Sequence, residues 1–251
     1  MRRAIILSAG LGSRLRPLTK EWPKCLTEIH GKSILWNMLE SLQRAGVNET
    51  TIVVGYLQEK IRASIGESFL GMKIHYVLNS EFEQTNTSYS LLLGIESLNY
   101  ALMDTILVLE GDVFFDHQLV EKILEDEGEN VTLVEKYSPD LDGSFVEISE
   151  NFVTAWVHKT RRPDKFHLEE KFKTINIHKF TGFFVHEQLV PTIDAYMQRG
   201  ERKAPMEFIM NDIVSSNAQL VQALLPTPLR WYEIDNMEEL TRAEQIFSQN
   251  L

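Results

Sequence analysis

Apolar positions change their spacing several times along the chain, and each change marks an element. Ala4-Ile5-Ile6-Leu7 is a run without polar alternation, as expected of a strand covered on both faces. It ends in Ser8-Ala9-Gly10, and residues 9–31 then read as a long functional loop rich in glycine, proline and charge. Ile34, Leu35, Met38, Leu39, Leu42 and Ala45 recur at helical spacing, with Gly46 as the stop. Thr51-Ile52-Val53-Val54-Gly55 predicts a second strand, 57–65 a short helix and 73–78 a third strand. Residues 87–98 carry Leu91, Leu92, Ile95 and Leu98 at helical spacing. Thr105-Ile106-Leu107-Val108-Leu109 predicts a fourth buried strand, ending at Glu110-Gly111-Asp112.

Strands that alternate with helices predict βαβ units: an α/β fold with a mostly parallel sheet and helices on both faces. In such sheets ligands sit beyond the carboxyl ends of the strands. The first segments to leave those ends are residues 8–24 and 110–116. The second half changes character. Strands are expected at 130–137, 144–149, 152–158 and 172–185, as an antiparallel addition or a strand-rich flap. Helices fit 187–198 and 206–216, a strand fits 219–225, and a last helix fits 237–248. With no repeat or linker, the expectation is one domain, 1–251, with a small strand-rich lid insertion at about 136–182.

Composition narrows the partners. A chain of 251 residues can bury a full core. Its apolar runs fall far short of the roughly 20 residues that span a bilayer, so no membrane insertion is expected. Arg2 and Arg3 precede only a short apolar stretch, which is not a signal peptide. The single cysteine, Cys25, excludes an internal disulfide and a multi-cysteine zinc site, and these facts together point to the cytoplasm. The net charge of −11 argues against a nucleic-acid partner. A small anion sees only the local field. That field is uneven. Residues 1–24 are basic, with Glu21 their only acid, whereas 110–129 are strongly acidic and 157–179 basic again.

Small residues after a strand let backbone N–H groups approach an anion, and Arg14 adds a planar, many-donor cation. The segment is neither a dinucleotide fingerprint, since Leu15 stands where a third glycine would, nor a Walker A loop. Gly10-x-Gly12-x-Arg14-Leu15-x-Pro17-Leu18-Thr19, followed by Pro23-Lys24, resembles the signature of the nucleotidyltransferases that activate sugar phosphates and phosphocholine. The resemblance implies a Rossmann-like fold. It places Ser8, Ala9, Gly10, Gly12, Ser13 and Arg14 at a nucleoside triphosphate, and Lys24 on the α-phosphate, with Arg14 and Lys24 as the catalytic pair.

Nucleotidyl transfer needs a metal, and Mg²⁺ takes one or two carboxylates together with phosphate oxygens. Asp112 and Asp235, each at the end of a predicted strand, meet that need, and the resemblance assigns them the metal. The competing reading is a turn residue or, for Asp235, a helix N-cap. Family members often carry Asp-x-Asp at the first position, where this chain has Glu110-Gly111-Asp112, so the role of Glu110 stays open.

Asn86-Thr87-Ser88 opens a helix and resembles the segment before the same helix in phosphocholine and phosphonate cytidylyltransferases. Asn86 and Ser88 are thereby nucleotide contacts, with simple capping as the alternative. Phe172-Lys173-Thr174-Ile175-Asn176-Ile177-His178-Lys179-Phe180 resembles a stretch of phosphonate-pathway cytidylyltransferases in which the lysine faces the acceptor. Asp140 and Asp142 fit the same subgroup and could pair with a cationic head group, assisted by Tyr137, Trp156 or Trp231. His158 and His178 are read as surface or lid residues, Arg161-Arg162 as a solvated turn and Cys25 as a small loop residue.

The implied reaction moves CMP from CTP to a small phosphate or phosphonate acceptor, such as phosphocholine or 2-aminoethylphosphonate, and releases pyrophosphate. A sugar-1-phosphate enzyme using UTP, GTP or dTTP stays open. So does a non-catalytic nucleotide-binding module, although Arg14, Lys24, Asp112 and Asp235 together count against it. A homodimer is compatible with the sequence and not required by it.

Overall fold

A computed structural model describes residues 1–248. The first half is β1 (Arg2–Ser8), α1 (Ile34–Arg44), β2 (Glu49–Val54), α2 (Gln58–Ile65), β3 (Met72–Leu78), α3 (Thr87–Glu96) and β4 (Thr105–Glu110). β4, β1, β2 and β3 lie side by side and all parallel, with Ile6 opposite both Ile52 and Leu109. Alternate residues of β1 serve opposite faces. Ala4 and Ile6 join a core with α1, and Ile5 and Leu7 join a second core with α3. This double burial is why the strand shows no polar alternation.

The second half extends the same sheet. After β5 (Val113–Phe115) and α4 (Gln118–Glu125) come β6 (Val131–Lys136), β7 (Phe145–Ser149), β8 (Phe152–Val157) and β9 (Phe172–Thr181). Then follow α5 (Val190–Gln198), α6 (Met206–Ser216), β10 (Gln222–Leu224), β11 (Trp231–Glu233) and α7 (Met237–Ile246). The main sheet has ten strands among the described residues, in the order β7-β8-β10-β6-β9-β4-β1-β2-β3 and a short strand at Ser68–Phe69. It is therefore mixed. β9 runs antiparallel to β4 and β6, and the hairpin β7-β8 closes that edge. The segment expected as a lid thus contributes β9 to the middle of the sheet.

Two expectations need correction, and one helix was not expected. The strand expected at 172–185 stops at Thr181, whose side chain accepts from Phe184 N at 3.1 Å and starts a helical turn. α4 has no counterpart in the sequence reading. His178 lies neither on the surface nor on a lid: it is buried between Trp156 and Phe180, within 2.8 Å of the Thr132 hydroxyl. Burial, with Lys173 nearby, pushes its imidazole down to about 3, so it is neutral.

Phe180 is fully buried and stacks on Phe184 with ring centroids 4.9 Å apart. Phe180→Ala is expected to cost about 3–5 kcal/mol in chemical denaturation. An unchanged midpoint would show that this core does not depend on the ring.

Candidate active site

The carboxyl ends of β1 and β4 open into a cleft of about 480 Å³. The loop after β1 forms one wall. Gly12 holds a left-handed φ of 58°, and a Cβ there would lie 2.9 Å from the Lys24 Cβ, so glycine lets the loop fold back on the lysine. The Gly12 carbonyl accepts from Thr19 Oγ1 at 2.8 Å, which fixes the return. At the end of β4, Gly111 packs against β1 so closely that a Cβ would stand 2.7 Å from the Leu7 carbonyl oxygen. Asp112 is thereby set directly beside the loop.

The second carboxylate arrives from far along the chain. β11 pairs antiparallel with β5, Glu233 opposite Val113, and Ile234 N donates to the Asp112 carbonyl at 2.9 Å. This pairing carries Asp235 to the same point. Lys24 Nζ donates to Asp112 Oδ2 at 2.7 Å and also to Asp235 Oδ1. Arg14 Nη2 reaches the other Asp235 oxygen at 2.7 Å. Burial alone would depress the lysine, but Asp112 and Asp235 outweigh it and hold the ammonium above its ordinary range. Burial would raise the Asp235 carboxyl, and Lys24 and Arg14 reverse this and hold it below the usual carboxylate range. Asn236, and not Asp235, caps α7, accepting from Glu238 N and Glu239 N at 3.0 Å each.

More carboxylates line the same cleft. Glu110, Glu207 and Glu233 line it, and Ser144 Oγ donates to Glu207 Oε1 at 2.6 Å. Burial, followed by Glu207, Asp112 and Glu233, lifts the Glu110 carboxyl well above the usual range. Lys173 also lines the cleft but is only 2% exposed. Its ammonium donates to Glu233 Oε2 at 2.8 Å and to the Thr174 carbonyl at 2.7 Å.

Most residues expected from the sequence therefore converge. Ser8, Ala9, Gly10, Gly12, Ser13, Arg14, Lys24, Asn86, Asp112, Asp140, Asp142, Lys173 and Asp235 all line the cleft. Some do so already engaged. Lys173 is held by Glu233, Asp140 pairs with Arg242, and Asp142 lies 3.2 Å from Arg162 and 3.7 Å from Lys159. Asn86 caps α3 by accepting from Thr87 N at 2.8 Å. Ser88 is not in the cleft: it is fully buried and its hydroxyl donates to the Ala204 carbonyl at 2.6 Å. Trp156 is a core residue packed on His178, whereas Trp231 does reach the cleft. Arg161 is exposed in a short turn, its guanidinium 3.3 Å over the Phe208 ring, whereas Arg162 is half-buried and paired with Asp142. Burial pushes the Cys25 thiol up to about 12, so it is no nucleophile.

Two residues were missed. Glu233 stands two positions before Asp235 on an extended segment, and that period of two was the available signal. Glu207 opens α6 after Pro205, and nothing in its local sequence marks it.

Asp112, Glu233 and Asp235 each offer a carboxylate oxygen, all within 4.8 Å of one another. Asp112 Oδ1 is buried with no hydrogen-bond partner, so one strong acceptor remains to be satisfied. Three hard oxygen donors fit a divalent cation such as Mg²⁺.

Comparison with known proteins agrees with this geometry. Over residues 3–140 the sequence matches the nucleotidyl transferase family. It is 30% identical over 247 residues to the CMP-5'-(3-aminopropyl)phosphonate synthase of Streptomyces rubellomurinus, covering 98% of this chain and 39% of that protein. It is 31% identical over 141 residues to the UTP–glucose-1-phosphate uridylyltransferase AglF of Haloferax volcanii, covering 55% and 56%. The fold matches the CTP:phosphocholine cytidylyltransferase of Streptococcus pneumoniae with a TM-score of 0.75 at 21% identity, covering 98% of each chain. The chain spans between 39% and 56% of the length of the curated relatives it matches.

Proposed function

The chain belongs to the nucleotidyl transferase family, and from that premise we propose that its cleft transfers a nucleoside monophosphate from an NTP to an oxygen of a small anionic acceptor. The observation that carries this reading is the Lys24 ammonium bridging Asp112 and Asp235, with Arg14 on the far oxygen of Asp235.

The acceptor oxyanion attacks the α-phosphorus, a new P–O bond forms, and the α–β bridging bond breaks with its electron pair leaving on pyrophosphate. The nucleophile is already anionic near neutral pH, so no strong base is required, and catalysis reduces to positioning and charge neutralisation. Lys24 stays charged throughout and faces the α-phosphate. Arg14 and the N–H groups of the loop from Ser8 to Ser13 hold the remaining phosphates. Asp112 and Asp235, with Glu233 beside them, would hold Mg²⁺. When bound, the ion neutralises the triphosphate and polarises the reacting phosphorus.

The nucleotide is CTP and the acceptor a phosphate or phosphonate that carries an amine or quaternary ammonium. Similarity to a phosphonate synthase over 98% of this chain supports the first part. The further carboxylates of the cleft, Glu110 and Glu207, support the second. The cytoplasm fits a lone buried thiol. Among the described residues no helix is long and apolar enough to cross a membrane.

A pyrophosphate-release screen of CTP, UTP, GTP and dTTP against phosphocholine, 2-aminoethylphosphonate and several sugar 1-phosphates tests the proposal. CTP with an amine-bearing acceptor is the expected pair. Preference for UTP or dTTP with a sugar phosphate moves the chain to the sugar-activating branch. Absence of release with every pair in the presence of Mg²⁺ removes the catalytic reading.

A further inference from the structure

The stretch that joins α5 to α6 is stitched to the start of α3. Asn86 N donates to the Arg202 carbonyl at 3.2 Å, and Asn86 Nδ2 to the Lys203 carbonyl at 3.3 Å. The Ser88 hydroxyl donates to the Ala204 carbonyl, and Met206 N donates to Thr87 Oγ1 at 2.8 Å. An ion pair crosses the same seam. Arg202 Nη1 and Nη2 donate to Glu81 Oε2 and Oε1 at 2.6 and 2.7 Å, a bidentate fork. The guanidinium also lies 4.5 Å from the centre of the Tyr89 ring, and the Tyr89 hydroxyl donates to Glu81 Oε1 at 3.3 Å.

The seam joins two walls of the cleft. The glycine-rich loop and Asp112 stand between them, at the carboxyl ends of β1 and β4. On one side, residues 79–90 follow β3, and Phe82, Thr85 and Thr87 line the cleft. On the other side, beyond β4 in the sheet, Ser144 precedes β7 and is bonded to Glu207 of α6. Glu207 comes one residue after Met206, so the bond from Met206 N to Thr87 sets its distance from the first wall. Transfer between two substrates needs one on each side of the centre, aligned on it.

The ion pair adds little to folding. Its side chains are 38% and 39% exposed, and solvent screens such pairs. Hydrogen bonds to the backbone already hold the path of the linker. What a planar fork adds is a fixed distance and angle.

We infer that Arg202 and Glu81 are positioning residues, a clasp that fixes the spacing of the two walls and so the approach of one substrate to the other. This rests on the transfer reaction proposed above. Neither side chain lines the cleft, so the clasp acts through Thr87 and Glu207 and touches no substrate itself.

Four full-length variants test it: R202M, E81Q, the double variant and R202K. The wild type is assayed first for its best NTP and acceptor by pyrophosphate release. In each single variant the single-turnover rate at saturating substrates is expected to fall about tenfold, because small misplacements of reacting groups are costly. The KM of both substrates stays within about threefold. The double variant falls no further, since both changes remove one interaction. R202K keeps the charge without the fork and recovers the rate only in part. Melting temperatures stay within about 3 °C of wild type. A rate within twofold of wild type in R202M overturns the clasp and leaves the reaction untouched. So does a rate loss that vanishes when the assay is run far below the melting temperature, which is loss of folded protein. A wild type that turns over no NTP–acceptor pair overturns both readings.

Discussion

Replacing Lys24 by methionine is expected to lower kcat/KM for pyrophosphate release by about a thousand-fold, roughly 4 kcal/mol of transition-state stabilisation. Methionine keeps much of the length of the stem and removes the charge. The loss is large because the ammonium is nearly buried, and a fixed charge acts more strongly there than in water. It is also local. Lys24 is followed by Cys25 and Leu26 in a short turn packed on α1, so the backbone has other anchors. Circular dichroism should therefore report an intact fold. Single-turnover assays with saturating NTP and Mg²⁺ separate chemistry from binding. A K24M enzyme within tenfold of wild type would falsify the role given to the lysine.

Asp112→Asn is the second large effect. The side chain keeps its shape, but the amide is a poor ligand for a hard cation and places an N–H₂ where an oxygen stood. Asp112 Oδ1 is buried and unpartnered, whereas Oδ2 takes the Lys24 bond, so both oxygens have a use that asparagine cannot duplicate. Turnover should fall by about a thousand-fold, and raising Mg²⁺ should recover little of it. Calorimetric titration of Mg²⁺ into the variant in the presence of non-hydrolysable CTP is the direct check. Unaltered metal affinity would move the cation elsewhere in the cleft.

The parallel half of the fold was legible because its strands are covered on both faces. Continuous runs such as Ile5-Ile6-Leu7 and Ile106-Leu107-Val108 leave little room for another reading. α4 was not legible in the same way. Leu119, Val120 and Ile123 supply its buried side, but the surrounding acids drew the segment into a charge run. The end of β9 was hidden by composition. Phe180-Thr181-Gly182-Phe183-Phe184 remains apolar across the switch from strand to helix, so periodicity cannot place the boundary. In the site, Arg14, Lys24, Asp112 and Asp235 followed from a motif and from strand ends. Ser88 misled because a helix-opening serine has the same local pattern whether its hydroxyl meets a ligand or turns inward to Ala204. Glu207 escaped because its place in the cleft depends on how α6 is carried back over β8, which only the tertiary fold decides.

The pairing of β5 with β11 has a bearing on how the protein is made. All ten strands of the main sheet are complete by Leu224. Asp235 comes later, brought in by the short stretch that lies against Val113–Phe115. A nascent chain that has cleared the ribosome only as far as residue 230 has every strand of that sheet, yet it lacks Asp235, the second carboxylate on Lys24, and Trp231, Ile234, Leu240, Ala243 and Phe247 of the core with α1. During synthesis, the sheet is delivered first, and the second carboxylate of the centre arrives last, with the helix that closes one core.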